Sequence, residues 1–541
     1  MKLSFTKVAS ALVLALTVIV TGCNDDGPNG PDSNPLSVES INPTAGQPGD
    51  EVTITGTGFA NNADDNSVTF AGDVTASISS VSATELVVTV PQGATTGPIT
   101  VSVDGESATT SEFAISSEPQ PEIPEPYASF PGTKIAADET WSNDTTLVGP
   151  HFVLPGVTLT VEAGVEVTFE YHNGNDDKVG AIYTLASDDQ NFSEPRETAK
   201  LVAEGTADQP IVFTSDRKQI NSWGGIIMTG RASNNIPGGQ GTVEGIEQDI
   251  FYGADADGNF NDSDDSGSLE YVRIEYAGYS INAGSELQSL TLYSIGSETN
   301  INHVNLFGSS DDGIELFGGT VDIKYLVVYG ADDDSFDYDQ GWSGKGQFWL
   351  AVQRDGADQG FENDGCADEA DCDQGSGPGS PNISNATVIA PKNTASGKDN
   401  MGLKLREGLQ GAYRNIIVSN FVGNPFYLDG ENNANDDTYE NYDSGDLVLE
   451  NFVLQNNGPW ASSDESRYSA VYEYTSSDKP ADLFNNPSNY DYSLPSGSAY
   501  LSGGQAPSDS WFDDVSFRGA VGESGTQWDW VNEGIWVKWP I

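Results

Sequence analysis

The sequence predicts an all-β protein in two folded parts, a small β-sandwich followed by a long solenoid of parallel strands. Three observations carry this. Residues 302–342 match themselves at a shift of 22 positions: Val304 falls on Leu326, Asp311 and Asp312 on Asp333 and Asp334, Ile314 on Phe336, Glu315 on Asp337 and Gly319 on Gly341. A repeat of that length, with short β-branched and aromatic runs, is the mark of stacked coils. Residues 36–115 instead alternate apolar and polar positions in short runs broken by turn residues, as sandwich strands do. From about Ser129 onward the chain reads as strands between Gly, Asp, Asn and Ser loops, with no convincing amphipathic helix.

Composition narrows the class. At 541 residues the chain is too long for one ordinary domain. Asp and Glu number 82 against 22 Lys and Arg, a formal charge of -60. That balance argues against nucleic acid and against electrostatic attachment to an anionic membrane. With 37% hydrophobic and 10% aromatic residues, the chain is too rich for a disordered acidic protein. It shows no phosphate loop, dinucleotide fingerprint or Ser-His-Asp triad, so no nucleotide is expected.

In chain order, residues 1–22 form a secretion signal: Lys2 and Lys7 precede an apolar core too short to span a bilayer. The core ends in Val20-Thr21-Gly22-Cys23, which resembles the lipobox of bacterial lipoproteins. That resemblance implies cleavage before Cys23 and acylation of its thiol and amino group, enough for stable anchoring. The same resemblance implies the outer membrane, since Asn24 stands where an inner-membrane lipoprotein has Asp, and Asn24-Asp25-Asp26 resembles the acidic tag of lipoproteins exported to the cell surface, the periplasmic face being the alternative. Residues 23–35 are a flexible tether. In the segment 36–116, the runs VESINPTAG (38–46), VTITGTGF (52–59), SVTFAG (67–72), ELVVTVP (85–91) and GPITVSV (97–103) resemble the IPT/TIG immunoglobulin-like domain. Such modules act as spacers, dimerisation surfaces or glycan contacts. Residues 117–129 are a Pro/Glu-rich linker. Cys366 and Cys372, in an exported protein with no His nearby, are expected to close a small disulfide loop rather than hold zinc.

Residues 130–541 are read as the solenoid. TLTVEAG (158–164), SWGGII (222–227), DSGSLEYVRIE (265–275), DDGIELFGG (311–319) and FRGA (517–520) resemble bacterial surface and secreted proteins of the pectin-lyase-like type. The resemblance implies a right-handed parallel β-helix and leaves the activity to the site chemistry. Solenoid ends need covering, and the aromatic-rich segments 141–155 and 528–539 are the expected caps.

Residues one period apart sit about 4.8 Å apart on neighbouring strands. The pairs Asp311/Asp333, Asp312/Asp334 and Glu315/Asp337 therefore face each other, and such repulsion calls for a cation, a shared proton or exposure. Oxygen ligands without His or thiolate suit Ca²⁺. The loop GADADGNFNDSDD (253–265) offers a second set, Asp255, Asp257, Asn259, Asn261 and Asp264, in an alternation like that of calcium loops. An enzymatic reading rests on Asp312, Asp333 and Asp334, a layout similar to that of polygalacturonase-type glycosidases, or on Lys404 and Arg406 as bases of a lyase. The Gly-His-Gly and Arg-x-Lys motifs of those glycosidases are missing. Tyr338, Trp342 and Trp349 are candidates for stacking on sugar rings. The expectation is a lipid-anchored surface protein, non-catalytic, that binds extracellular polysaccharide or mediates adhesion through a calcium-stabilised β-helix. A polysaccharide lyase or hydrolase, and a structural envelope protein, are the alternatives.

Overall fold

The computed structural model describes residues 35–72, 74–115, 123, 126–175, 178–186, 198–244, 246, 248–255, 257–282, 285–366, 377–391, 398–430, 438–459, 467–475 and 483–540. The signal segment with Cys23, and Cys372 of the expected disulfide, lie outside them. The chain divides into two compact units, Met1–Gln120 and Pro121–Ile541.

In the first unit, strand Glu51–Thr57 (EVTITGT) buries every second residue. It pairs antiparallel with Ser37–Asn42 and Glu85–Thr89 in a four-stranded sheet. A five-stranded sheet faces it, and the two share one core that includes Val52, Ile54, Leu86, Val101 and Phe113. At Gly56 a Cβ would lie 2.1 Å from the Ser37 carbonyl oxygen, so the close strand pairing at this point admits only glycine.

The second unit is the parallel coil. One ten-stranded sheet and one of sixteen strands run along it, nearly every pairing being parallel. The shift of 22 read from the sequence is the observed register: Ile314 pairs with Phe336, Glu315 with Asp337 and Val304 with Leu326. Each coil passes from a strand of the ten-stranded sheet through a short turn into the sixteen-stranded sheet. From strand Gly267–Ala277 onward the chain there bends at a single left-handed residue and continues. Those corner residues form one column, Tyr271, His303, Tyr325, Phe348, Asn385, Asn415 and Asn451, all at φ between 50° and 62°. Asn tolerates that conformation; an aromatic residue does so only when its surroundings hold it there. Here the rings hold one another: Tyr271–His303 and His303–Tyr325 stack at 4.3 Å, and Tyr325–Phe348 at 5.0 Å.

The lumen is filled by the inward residues of each strand. In Phe336–Asp339 (FDYD), Phe336 and Tyr338 point in and Asp337 and Asp339 point out. Tyr338, Trp342 and Trp349 are all fully buried. Trp342 Nε1 donates to the Val321 carbonyl and Trp349 Nε1 to that of Ile323. Their assignment to sugar stacking is therefore corrected: Tyr338 packs on Trp342 and Trp342 on Trp349 inside the coil's core, where no glycan reaches. Trp349→Ala should lower stability by about 3–5 kcal/mol, read by urea denaturation, and leave any glycan retention of the folded fraction unchanged.

The expected caps are also revised. Strand Glu139–Trp141 belongs to the first coil, pairing with Thr158–Val161. Tyr127 and Phe130 cover that end, Phe130 meeting Phe152 at 5.3 Å. At the other end the helix Thr438–Ser444 brings Tyr439 and Tyr442 against Tyr468. Residues 483–540, including Trp528–Trp539, lie instead along the side of the coil as a strap. The reason is in the strands beneath: Lys345–Val352 and Asn382–Ile389 are buried on both faces, and a strand buried twice needs a second layer. The strap supplies it, Phe517, Trp530 and Trp536 joining Val327, Phe348, Leu350, Ile417 and Val453 in one apolar cluster.

Candidate cation site

The site is built on the outer side of the ten-stranded sheet. Its register sets Thr291, Glu315, Asp337, Glu362 and Lys404 in one outward row. A second row carries Phe317 and Asp339, then Asp364 and Arg406. Just before each strand a third and fourth row run through the loops. Asp312 and Asp334 stack with Gln359, and Asp311 and Asp333 with Asp358.

Asp312 and Asp334 do structural work that the sequence did not reveal. Asp312 accepts a hydrogen bond from the Asp334 backbone N–H one coil on, at 2.8 Å. Asp334 accepts from Gln359 N–H, and Gln359 Oε1 accepts from Met401 N–H at 2.7 Å. Each side chain thus caps the start of the next coil, which explains why both acids are buried.

Three overlapping carboxylate groups result, each with one oxygen per residue within 4.8 Å of the others: Asp311, Asp312 and Asp333; Asp312, Glu315 and Asp337; and Asp333, Asp334 and Asp358. Oxygens on opposite sides of a Ca²⁺ ion lie about 4.6–5.2 Å apart, so these spacings suit that ion. The groups differ in how far the protein satisfies them. Asp358 Oδ1 takes two backbone N–H groups, of Asp399 and Asn400, both at 2.8 Å. Asp333 is paired with Lys398. Glu315, only 8% exposed, keeps Oε2 buried with no hydrogen-bond partner among the described residues. A buried carboxylate oxygen left so is costly, and Glu315 is a member of the group with Asp312 and Asp337.

Burial first, and neighbouring carboxylates second, push Asp312, Glu315, Asp334 and Asp337 well above the usual carboxylate range. The same causes raise Asp311 to about 7 and Asp339 to about 8. Burial lifts Asp364 to about 6 even beside Arg406. Glu362 goes the other way: burial opposes its charge, but a hydrogen bond with Asp334 and the Arg406 and Lys404 cations outweigh it. Raised acids bind protons in the folded chain that the unfolded chain releases. Their stabilising contribution is complete below about pH 4 and is lost as pH rises through the folded values. Cation-free protein should therefore lose resistance to urea steadily between about pH 6 and pH 8, measured in EDTA, and added Ca²⁺ should flatten that slope.

Lys404 and Arg406 are tied down. Lys404 Nζ contacts Glu362 at 3.1 Å, and Arg406 forks onto Asp364 with bonds of 2.9 and 2.7 Å. Their use as lyase bases is accordingly replaced by charge pairing within the rows. The acidic loop does not gather as a cation site. Asp255 Oδ1 folds back on Asp257 N–H and Asn259 N–H at 2.9 and 2.8 Å. Asp264 is buried against Thr198 and Ser266, and Asn261 and Asp264 instead line a polar cleft with Lys200. Among the described residues, no three carboxylates of this loop lie within 4.8 Å of one another. Cys366 is buried.

Comparison with known proteins gives two family matches. Residues 133–487 match the model of the pectate-lyase like beta helix domain, and residues 36–117 that of the IPT/TIG domain. No curated protein matches the chain. Among solved structures, it is similar to an auxiliary nutrient binding protein from Bacteroides thetaiotaomicron VPI-5482, at 21% identity and a TM-score of 0.15 over 16% of this chain and 22% of that one. An auxiliary nutrient binding protein from Bacteroides ovatus ATCC 8483 aligns at 28% identity and a TM-score of 0.15, over 17% and 22%. The chain thus spans under a quarter of the length of the structures it matches.

Proposed function

The chain belongs to the pectate-lyase-like β-helix family, and from that premise we propose a non-catalytic, Ca²⁺-binding surface protein that holds an extracellular polysaccharide. Cys23 would anchor it by lipid to the outer membrane, and the immunoglobulin-like domain would serve as a spacer. The observation that carries the reading is the unpartnered Glu315 carboxylate beside Asp312 and Asp337. Ca²⁺ takes six to eight oxygens. Three carboxylates leave coordination places for water or for sugar hydroxyl and carboxylate oxygens, which would make glycan retention calcium-dependent.

Cleavage is disfavoured on two grounds. The carboxylate oxygens lie within 4.8 Å, closer than the about 6.5–9.5 Å that leaves room for an attacking water, which counts against the inverting hydrolysis that a polygalacturonase-like layout implies. The basic residues of the face are paired, Lys404 with Glu362, Arg406 with Asp364 and Lys398 with Asp333. The test is a panel of neutral and acidic polysaccharides, scored for retention and for new reducing or unsaturated ends, with Ca²⁺ and with EGTA. Retention lost in EGTA without product supports the proposal, and product formation would overturn it.

A further inference from the structure

The third acidic group, Asp333, Asp334 and Asp358, has the same chemistry and spacing as the group around Glu315, yet the chain treats it differently. The Lys398 ammonium is set against Asp333. Burial works against that ammonium's charge, but the contact with Asp333 and the fields of Asp358 and Asp334 hold it protonated above the ordinary lysine value. Its backbone is fixed there. Asp399 N–H and Asn400 N–H both bond to Asp358 Oδ1. Asn400 Nδ2 reaches Gln353 Oε1 at 3.1 Å and the Asp358 carbonyl at 3.1 Å. Asn400 Oδ1 accepts from Val422 N–H at 3.0 Å. The two residues after Lys398 are thus held by Asp358, a member of the same group.

We propose that Lys398 is a tethered cation that occupies the Asp333–Asp334–Asp358 group and restricts the ladder to one divalent ion, bound at Asp312, Glu315 and Asp337. The choice of ion at the neighbouring group rests on the Ca²⁺ reading above; the blocking role of Lys398 does not. Asp333 belongs to two of the three groups, so an ammonium on it withdraws a ligand from both. A divalent ion there would face a positive charge at contact distance, and that repulsion opposes its binding.

The test is calorimetric titration of CaCl₂ into the full chain and its variants. Wild type should take one ion. Lys398→Met keeps the side chain's bulk and removes its charge, and should take a second ion, bound more weakly than the first because Asp358 and Asp334 already accept backbone N–H groups. Lys398→Met/Asp333→Asn removes the freed ligand and should return to one. An unchanged stoichiometry in Lys398→Met overturns the proposal. Wild type that takes no ion while Lys398→Met takes one would sustain the block and overturn the Ca²⁺ reading at Glu315. If Lys398→Met does not fold, Lys398→Arg keeps the charge. It should fold and take one ion, and two ions bound by that variant would overturn the proposal equally.

Discussion

Replacing Glu315 with Gln should destabilise the protein in calcium and stabilise it in EGTA. Wild type at 100 times its dissociation constant gains about 2.7 kcal/mol from the bound ion, a rise of about 3 °C for a unit of this size. Glu315→Gln removes one charged ligand. Calcium affinity should fall by about a hundredfold or more, since even groups that only orient a ligand cost 10- to 100-fold. In EGTA the same substitution should stabilise the protein, because it deletes a buried carboxylate crowded by Asp312 and leaves a neutral group of the same shape. Thermal melts of both proteins with CaCl₂ and with EGTA decide the matter. A variant less stable than wild type in both conditions would show that Glu315 holds the fold in some other way and binds no ion.

The second large effect concerns the strap. Ending the chain at residue 482 would uncover Phe348, Leu350, Ile417 and Val453, which the strap buries. It would also leave Glu275 without Lys538, a buried acid losing one of the two cations that hold it. Glu275 keeps Arg273, so the larger loss is the apolar cover, and stacked exposed strands aggregate. The truncated chain should be recovered as insoluble material, although the family match stops at residue 487. A milder probe, Trp536→Ala, removes a fully buried ring and should lower stability by about 3–5 kcal/mol in urea denaturation. A soluble truncated chain with wild-type circular dichroism would show the strap to be dispensable.

Much of this was legible in the sequence, unevenly. The 22-residue repeat set the register of two coils because their turns are equally long. The next coils hide it, since Phe336 pairs with Phe361 and Phe361 with Leu403 across longer loops. The acidic stack could be read from that repeat, but not its burial. Burial depends on Asp312 and Asp334 bonding to the backbone of the next coil, a role that spacing alone does not disclose. The sequence of Phe336–Asp339 carried a signal that was available: aromatic residues alternating with acids in a strand face opposite ways, so Tyr338 could not share a surface with Asp337. The strap has no repeat and, among its described residues, no strand, so nothing local marked it as a second layer. Asp255 and its neighbours misled because Asp, Asn and Gly at alternate positions also make ordinary turns whose carboxylates bond to their own backbone.

The strap has a consequence for how the molecule comes apart. A solenoid whose coils touch only their neighbours is a one-dimensional array, free to fray from an end one repeat at a time. Here Asn415 donates to the Gln505 carbonyl, Asn385 to that of Phe517, Gln347 to that of Asp513 and Arg273 to that of Ile535. One continuous segment therefore holds coils that never meet. Opening any of them strains the tie on the rest, and the array acquires the all-or-none behaviour of a globular core. Amide exchange should accordingly show the coils from Arg273 to Asn415 opening together, with a single protection energy.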